Sequence, residues 1–370
     1  MAAITPIVMP KWGLSMREGT VNAWLVDEGA RIKVGDRIVE VETDKISGEV
    51  EAADPGLLRR KVASAGQTLP VKALLGMMAE AEVSDQDIQA FIVSYVVPAE
   101  EAEEAALESA YRFSKVDGIR VRHARKGDGT ATVLFLHGFG GDLDNWLFNL
   151  DALADRNTVL ALDLPGHGQS DRKLPGKTLA ALARFVVHFL DAVEVAGVHL
   201  VGHSMGGAIA AQMAIDHPRR VESVALISSA GLGDEINSGY TEGFIAAQSR
   251  RDLKPVVEQL FANPELVSRQ LLDDLLKYKR LDGVTEILTE LNQSLFGQGC
   301  QSEQPGRRLG ETGKRVLVVW GAGDRIIPAR HAGRAAANAV VKVIEGAGHM
   351  VQMEKAGEVN NLLRQHIAGA

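Results

Sequence analysis

The sequence predicts two folded parts in one chain: a small all-β domain, then an α/β domain whose mostly parallel sheet carries a helical cap. Three observations predict it. Over residues 1–82, glycines and apolar residues recur at a fixed spacing among short alternating runs and turn signals. From about residue 114, short apolar strands alternate with helical stretches, the pattern of a parallel sheet covered on both faces. From about 231 to 308, helical periodicity continues without good strand signals, so this stretch reads as an insertion over one end of the sheet. The 370 residues, 46% hydrophobic and 24% charged, suffice for two soluble cores.

The fixed spacing is an internal repeat. Gly19 and Gly56 are 37 residues apart, and so are Gly29 and Gly66, Val34 and Val71, and Val21 and Leu58. Two similar half-sheets bring their matched turns to one end. Asp44-Lys45 falls between the halves, which predicts an exposed hairpin tip there.

Residues 83–113 are expected to hold a short helix and a linker. Ile88, Phe91, Ile92, Tyr95 and Val96 recur at helical spacing. Ser84 with Asp87 three residues on resembles a capping box. The helix reads more readily as a pad docked on a domain than as a partner-binding element. Pro98–Ala106 is acidic and Ala-rich, and self-repulsion predicts an extended linker.

In residues 114–370 the runs Val133–His137, Thr158–Asp163, Val198–His203, Ser223–Ser228, Arg315–Trp320 and Val340–Ile344 read as buried strands. Leu179–Val193 and Met205–His217 read as helices between them. A net charge of −8 leaves no basic surplus for nucleic acid. Apolar runs are too short to span a bilayer, and Met1–Pro6 lacks the basic start and apolar core of a signal peptide. A single cysteine, Cys300, fits a reducing cytoplasm.

Chemistry concentrates at the predicted strand ends. Gly202-His203-Ser204-Met205-Gly206 lies between a strand and a helix, a turn that raises a serine at a helix N-terminus. His137-Gly138-Phe139-Gly140-Gly141 follows the first clear strand. Its glycines let the backbone approach a ligand, so the Phe139 N–H can pair with the Met205 N–H as an oxyanion hole. Asp324 follows a later strand and His349 the last one. In that order Ser204 is the nucleophile, His349 the proton carrier and Asp324 the group that fixes the imidazole. His137, His167 and His203 also sit near strand ends and read as loop-packing residues. No histidine–carboxylate spacing suggests a metal site.

Together with Leu162-Asp163-Leu164-Pro165-Gly166-His167-Gly168-Gln169-Ser170, these pieces resemble the α/β-hydrolase family. That resemblance implies an eight-stranded, mostly parallel sheet and a triad of Ser204, Asp324 and His349.

Residues 4–80 resemble the lipoyl domain of 2-oxo-acid dehydrogenase complexes, a flattened barrel. The resemblance rests on Met9-Pro10, Glu18-Gly19, Glu28-Gly29, Val34-Gly35-Asp36, Glu42-Thr43-Asp44-Lys45 and Glu49-Val50. It implies lipoate attached to Lys45. Biotin carriers are similar but place Met on both sides of the lysine, where this chain has Asp44 and Ile46. Tethering makes each transfer intramolecular, at an effective concentration on the order of millimolar for a short linker.

The fusion of the two looks like the acyltransferase (E2) component of bacterial acetoin-cleaving dehydrogenase complexes. The resemblance implies an acetyl group delivered to lipoyl-Lys45 by a thiamine-diphosphate enzyme (E1), moved through Ser204 to coenzyme A, and an arm reoxidised by a flavin-dependent dihydrolipoamide dehydrogenase (E3). It also implies a lipoate-attaching enzyme, while the oligomeric state stays open. The chain departs from other E2 chains in having neither a small subunit-binding domain nor a trimer-forming acyltransferase domain. The same triad permits a thioesterase or esterase that hands the acyl group to water, and a lipoyl carrier with a structural second domain is a third reading. Arg250, Arg251, Lys254, Lys277, Lys279 and Arg280 lie in or near the cap, where they suit the phosphates of coenzyme A or simply form solvated faces.

Overall fold

The computed structural model describes residues 4–12, 16–43, 47–97 and 111–369. The chain divides into two compact units at residues 108/109.

The first unit is built from eight short strands: β1 (Ile4–Val8), β2 (Glu18–Trp24), β3 (Arg31–Ile32), β4 (Arg37–Glu42), β5 (Ser47–Glu51), β6 (Gly56–Lys61), β7 (Thr68–Pro70) and β8 (Leu74–Ala79). They form two four-stranded sheets in the orders β1-β8-β6-β3 and β5-β4-β2-β7, and every pairing is antiparallel. The repeat is structural. β4 and β8 start and end 37 residues apart, and β6 and β2 hold matching places beside them. Gly29 and Gly66 share a left-handed backbone, with φ of 88° and 83°, which glycine adopts at little cost. The Gly29 N–H donates to Leu58 O and the Gly66 N–H to Val21 O, both at 2.7 Å. Each half thus closes its turn on the other half's matched core residue. Val21, Val39, Val41, Leu58 and Leu75 are fully buried in the core drawn from both sheets. Val34 and Val71 break the symmetry, the first exposed and the second buried.

Helix α1 (Asp85–Ser94) follows. The Ser84 hydroxyl caps it by accepting from the Asp87 N–H at 3.1 Å. Ile88 is buried against Leu74, Met77, Ala79 and Val83, with Phe91, Ile92 and Tyr95 packed around them. This is the docked pad that the spacing predicts, and it explains why β8 is buried along its whole length. The helix stops before Val96, which is 80% exposed. The acidic stretch Pro98–Ala106 lies outside the described residues.

The second unit holds β9 (Tyr111–Val116), β10 (Ile119–Lys126), β11 (Thr132–Leu136), β12 (Thr158–Leu162), β13 (Val198–His203), β14 (Val221–Ile227), β15 (Arg315–Gly321) and β16 (Ala339–Ile344). They form one eight-stranded sheet in the order β16-β15-β14-β13-β11-β12-β10-β9. The six strands from β16 to β12 in that order are parallel, while β10 and β9 add an antiparallel edge. Helices α2 (Leu147–Ala154), α3 (Leu179–Ala192), α4 (Met205–Asp216), α9 (Val351–Glu354) and α10 (Ala356–Ala368) cover the sheet. Strands β11 to β15 are correspondingly rich in fully buried Val, Leu, Ile and Ala.

The two antiparallel strands escape a search for apolar runs, because they alternate apolar and basic residues. β9 begins within the stretch that the sequence assigns to the linker, residues 83–113. On β10 the Arg122 side chain is buried, pairs with Asp163 at 3.4 Å and lies 4.0 Å above the Tyr111 ring.

Between β14 and β15 the chain forms a cap of four helices, α5 (Ser238–Ala246), α6 (Arg250–Val257), α7 (Arg269–Lys279) and α8 (Val284–Leu295). Asn237, Ser249 and Ser268 cap the first three with side-chain acceptors.

Candidate active site

Ser204 immediately follows β13 and opens α4. Its backbone angles are φ 53° and ψ −120°, a strained conformation for a residue with a side chain. The neighbouring glycines make it possible. A Cβ on Gly202 would lie 2.4 Å from Gly206 O, and one on Gly206 would lie 2.2 Å from Leu136 O. The Ser204 N–H donates to Ile227 O at 3.0 Å, which fixes the turn to the end of β14. The Ser204 hydroxyl has no hydrogen-bond partner among the described residues and is left free for a ligand.

The same edge of the sheet carries Asp324, beyond β15, and His349, beyond β16. The His349 Nδ1–H donates to Asp324 Oδ2 at 2.8 Å, and both side chains are almost completely buried. The other oxygen of Asp324 accepts from the N–H groups of Ile326 and Ile327, at 2.8 and 3.0 Å. With Nδ1 committed to the carboxylate, Nε2 of His349 is the nitrogen left to exchange a proton. His203, beside the serine, ties this pair to the elbow. Its Nε2–H donates to His349 O at 3.0 Å, and the two rings lie 4.7 Å apart. Burial, followed by the neighbouring His349, holds the His203 pKa well below the usual histidine value. His203 therefore packs on His349 as a neutral ring.

A second carboxylate braces the histidine loop. Glu354 accepts from the Gly348 N–H at 2.6 Å and from the Ala262 N–H of the cap at 2.7 Å. Burial is the leading cause that raises its pKa. Arg325, next to Asp324, donates to Glu258 O and Phe261 O of the same cap segment, both at 2.6 Å. Both loops behind the site are thus fastened to residues 258–262 of the cap.

The loop after β11 faces the serine. A Cβ on Gly138 would lie 3.0 Å from Ser204 Cβ. Among the described residues, neither the Phe139 nor the Met205 N–H has an acceptor within the protein, so both donors remain available. The Phe139 ring packs edge-on against the cap residues Phe244 and Phe296, with centroids 6.4 and 6.2 Å apart. These aromatics form an apolar roof beside the loop after β11. His137 holds the loop: its Nδ1–H donates to Gly138 O at 2.8 Å and its Nε2 accepts from the Leu164 N–H at 2.9 Å. Burial pushes its pKa down to about 3, and that of His167, whose Nδ1 bonds Pro165 O, to about 4. Both are loop-packing residues, as their positions predict.

The structure thus brings Asp324 and His349 into contact and sets Gly138 against Ser204. His203, taken from the sequence as loop packing, packs directly on His349. Its place inside the serine pentad was the one available signal. Glu354 carried no local signal at all. Among the cap cations Lys279 is not a solvated face: it is buried and donates to Phe244 O and Ile245 O. Lys45 and the hairpin tip expected around it lie outside the described residues. Strands β4 and β5, on either side, pair antiparallel with Glu42 opposite Ser47. No cluster suited to a metal ion occurs among the described residues.

Two family models match the chain. One, described as alpha/beta hydrolase fold, covers residues 131–356. The other, described as biotin-requiring enzyme, covers residues 5–78. A dihydrolipoyllysine-residue acetyltransferase component of the acetoin cleaving system from Cupriavidus necator is 66% identical, over 99% of this chain and 98% of its own. Its counterpart from Pseudomonas putida is 47% identical, over 99% of this chain and 100% of its own. Among solved structures, a meta-cleavage product hydrolase from Pseudomonas fluorescens IP01 matches 70% of this chain and 97% of its own, with a TM-score of 0.63 and 21% identity. That likeness concerns the fold.

Proposed function

Because the chain belongs to the acetyltransferase components of acetoin cleaving systems, with a lipoyl domain joined to an α/β-hydrolase domain, we propose that it moves its acetyl group through Ser204. The chain is an acyltransferase that uses lipoate as cofactor and coenzyme A as acceptor, and it works as a component of a multienzyme system. We assign the lipoate to Lys45. The antiparallel pair β4–β5 fits this, since its last bonded residues, Glu42 and Ser47, bracket the short segment that carries the lysine. Lipoate in amide linkage there supplies a thiol that holds the acetyl group as a thioester.

The observation that carries the serine route is the 2.8 Å bond from His349 to Asp324, at the sheet edge where the strained Ser204 opens α4. His349 Nε2 takes the proton of Ser204 Oγ as that oxygen attacks the acetyl carbonyl carbon. Asp324 holds the imidazole in the correct tautomer and stabilises its positive charge. The Phe139 and Met205 N–H groups receive the developing oxyanion, and the helix N-terminus at Met205 adds to that field. The carbon–sulfur bond breaks and His349 returns the proton to the departing thiolate, which leaves an acetyl ester on Ser204. In the second half His349 takes the proton of the coenzyme A thiol. The sulfur attacks the ester, and Ser204 leaves with the proton restored. The hydrogen bond from Ser204 Oγ–H to His349 Nε2 forms when the acyl donor binds, as is common for catalytic contacts that are open without substrate.

A thiamine-diphosphate enzyme upstream, a flavin-dependent dihydrolipoamide dehydrogenase downstream and a lipoate-attaching enzyme complete the proposed system. No helix among the described residues is long and apolar enough to cross a membrane, and the lone Cys300 supports a cytoplasmic setting. Hydrolysis by the same triad remains the rival chemistry, and one experiment separates the two. Protein is given acetyl-dihydrolipoamide with and without coenzyme A, and acetyl-CoA and free acetate are followed. Acetyl-CoA is expected, falling at least about 10³-fold in Ser204→Ala. Free acetate regardless of coenzyme A would refute transfer, and undiminished transfer in Ser204→Ala would refute the acyl-serine route.

A further inference from the structure

The reaction has one polyanionic small-molecule substrate, coenzyme A, and the cap has one strongly cationic groove among its described cavities. The groove, of about 560 Å³, is lined by Ser249, Arg250, Arg251, Asp273, Leu276, Lys277 and Arg280. Four cations there face one carboxylate, in a chain whose net charge is −8. Asp273 neutralises Arg250 and Asp274 pairs with Lys277, but Arg251 and Arg280 have no carboxylate partner among the described residues. Gathering like charges on one concave surface costs free energy in the free protein, and a bound anion relieves that cost. Arg250 and Arg251 are also the first residues of α6, whose leading N–H groups and dipole favour negative charge.

A chain of contacts through the cap links the groove to the loop beside Ser204. Beside Lys277 and Arg280, the buried Lys279 of α7 fastens the end of α5 by donating to Phe244 O and Ile245 O. The Phe244 ring packs on Phe139 of the oxyanion loop. We propose that the groove between α6 and α7 binds the phosphates of coenzyme A, with Arg251 and Arg280 as the principal contacts. This deepens the acetyl-transfer reading and rests on it.

The test uses the full lipoylated chain carrying Arg251→Glu with Arg280→Glu, and a milder pair, Arg251→Gln with Arg280→Gln. Acetyl transfer is measured to coenzyme A and to pantetheine, which has the thiol arm without the nucleotide phosphates. The KM for coenzyme A is expected to rise at least about tenfold with kcat nearly unchanged, less steeply in the Gln pair. The KM for pantetheine and the hydrolysis of a small acetyl ester are expected to stay as they were. An unchanged KM for coenzyme A overturns the proposal, as does an equal rise for pantetheine. A rise confined to the KM for the acyl donor also overturns it, and shows that the groove receives the acyl carrier instead. Calorimetry with adenosine 3′,5′-bisphosphate reads the groove without turnover. If the wild type binds it through these arginines yet forms no acetyl-CoA, the groove stands and the transfer reading fails.

Discussion

Glu354 illustrates how a residue that holds only a neighbouring loop can set the geometry of the site. Its carboxylate receives the Gly348 N–H, one residue before His349, and the Ala262 N–H from the cap. Glutamine at this place keeps one carbonyl acceptor but turns an NH₂ group toward an N–H donor. Glu354→Gln is therefore expected to lower kcat about tenfold by misplacing His349, with the KM for coenzyme A nearly unchanged. Steady-state kinetics over a range of pH checks this, and an unaltered kcat would show that the loop holds itself. At this scale the places of Ser204, Asp324 and His349 at the ends of strands were legible, because each follows a strand and carries glycine neighbours. Glu354 was not, because its partners lie 6 and 92 residues away.

Helix α1 and strand β8 form one element in energetic terms. β8 buries one face in the barrel core and the other under Ile88, Phe91, Ile92 and Tyr95. The Tyr95 hydroxyl adds a bond to Lys72 O at 2.8 Å. Ile88→Ala is expected to cost about 2–5 kcal/mol, the range for deleting a buried aliphatic side chain. Amide exchange on the full chain reads it out: protection should fall in residues 85–94 before it falls in β2 or β6. Equal loss everywhere would mean that the helix is part of the barrel's cooperative core. The helix was readable from its spacing and its Ser84 cap, and the parallel strands from their apolar runs. β9 and β10 were not, because the basic residues on β10 are matched by buried partners, such as Asp163, that only the folded chain supplies.

At the scale of the whole molecule, titration distinguishes the two units. All ten histidines lie at or beyond residue 123. Burial lowers the pKa of His123, His167 and His366 to about 4, that of His137 to about 3, and that of His203 well below its usual value. Below pH ~6.5 the unfolded chain takes up these protons while the folded unit does not, so stability falls as pH falls from about 6.5 toward 4. One unit of depression corresponds to about 1.4 kcal/mol, so together these groups remove several kcal/mol of a stability on the order of 5–15 kcal/mol. Emission from Trp146 and Trp320, both fully buried, should shift to the red at progressively lower temperature over that range. A melting temperature unchanged between pH 7 and 4.5 would contradict this.

The sequence by itself determined the two-part fold, the half-sheet repeat, the helical cap, the chain order Ser204, Asp324, His349 and the motif around Lys45. All of these are written in local spacing: a period of two or 3.6, a repeat of 37, a glycine beside a turn. The tertiary structure alone decided that His203 bonds to His349 across 146 residues, that Glu354 joins the histidine loop to the cap, and that Lys279 is buried while Arg251 and Arg280 have no carboxylate partner among the described residues. Those choices depend on which strands become neighbours and which helix faces meet. They are fixed by packing between distant segments, for which a single sequence carries no local period.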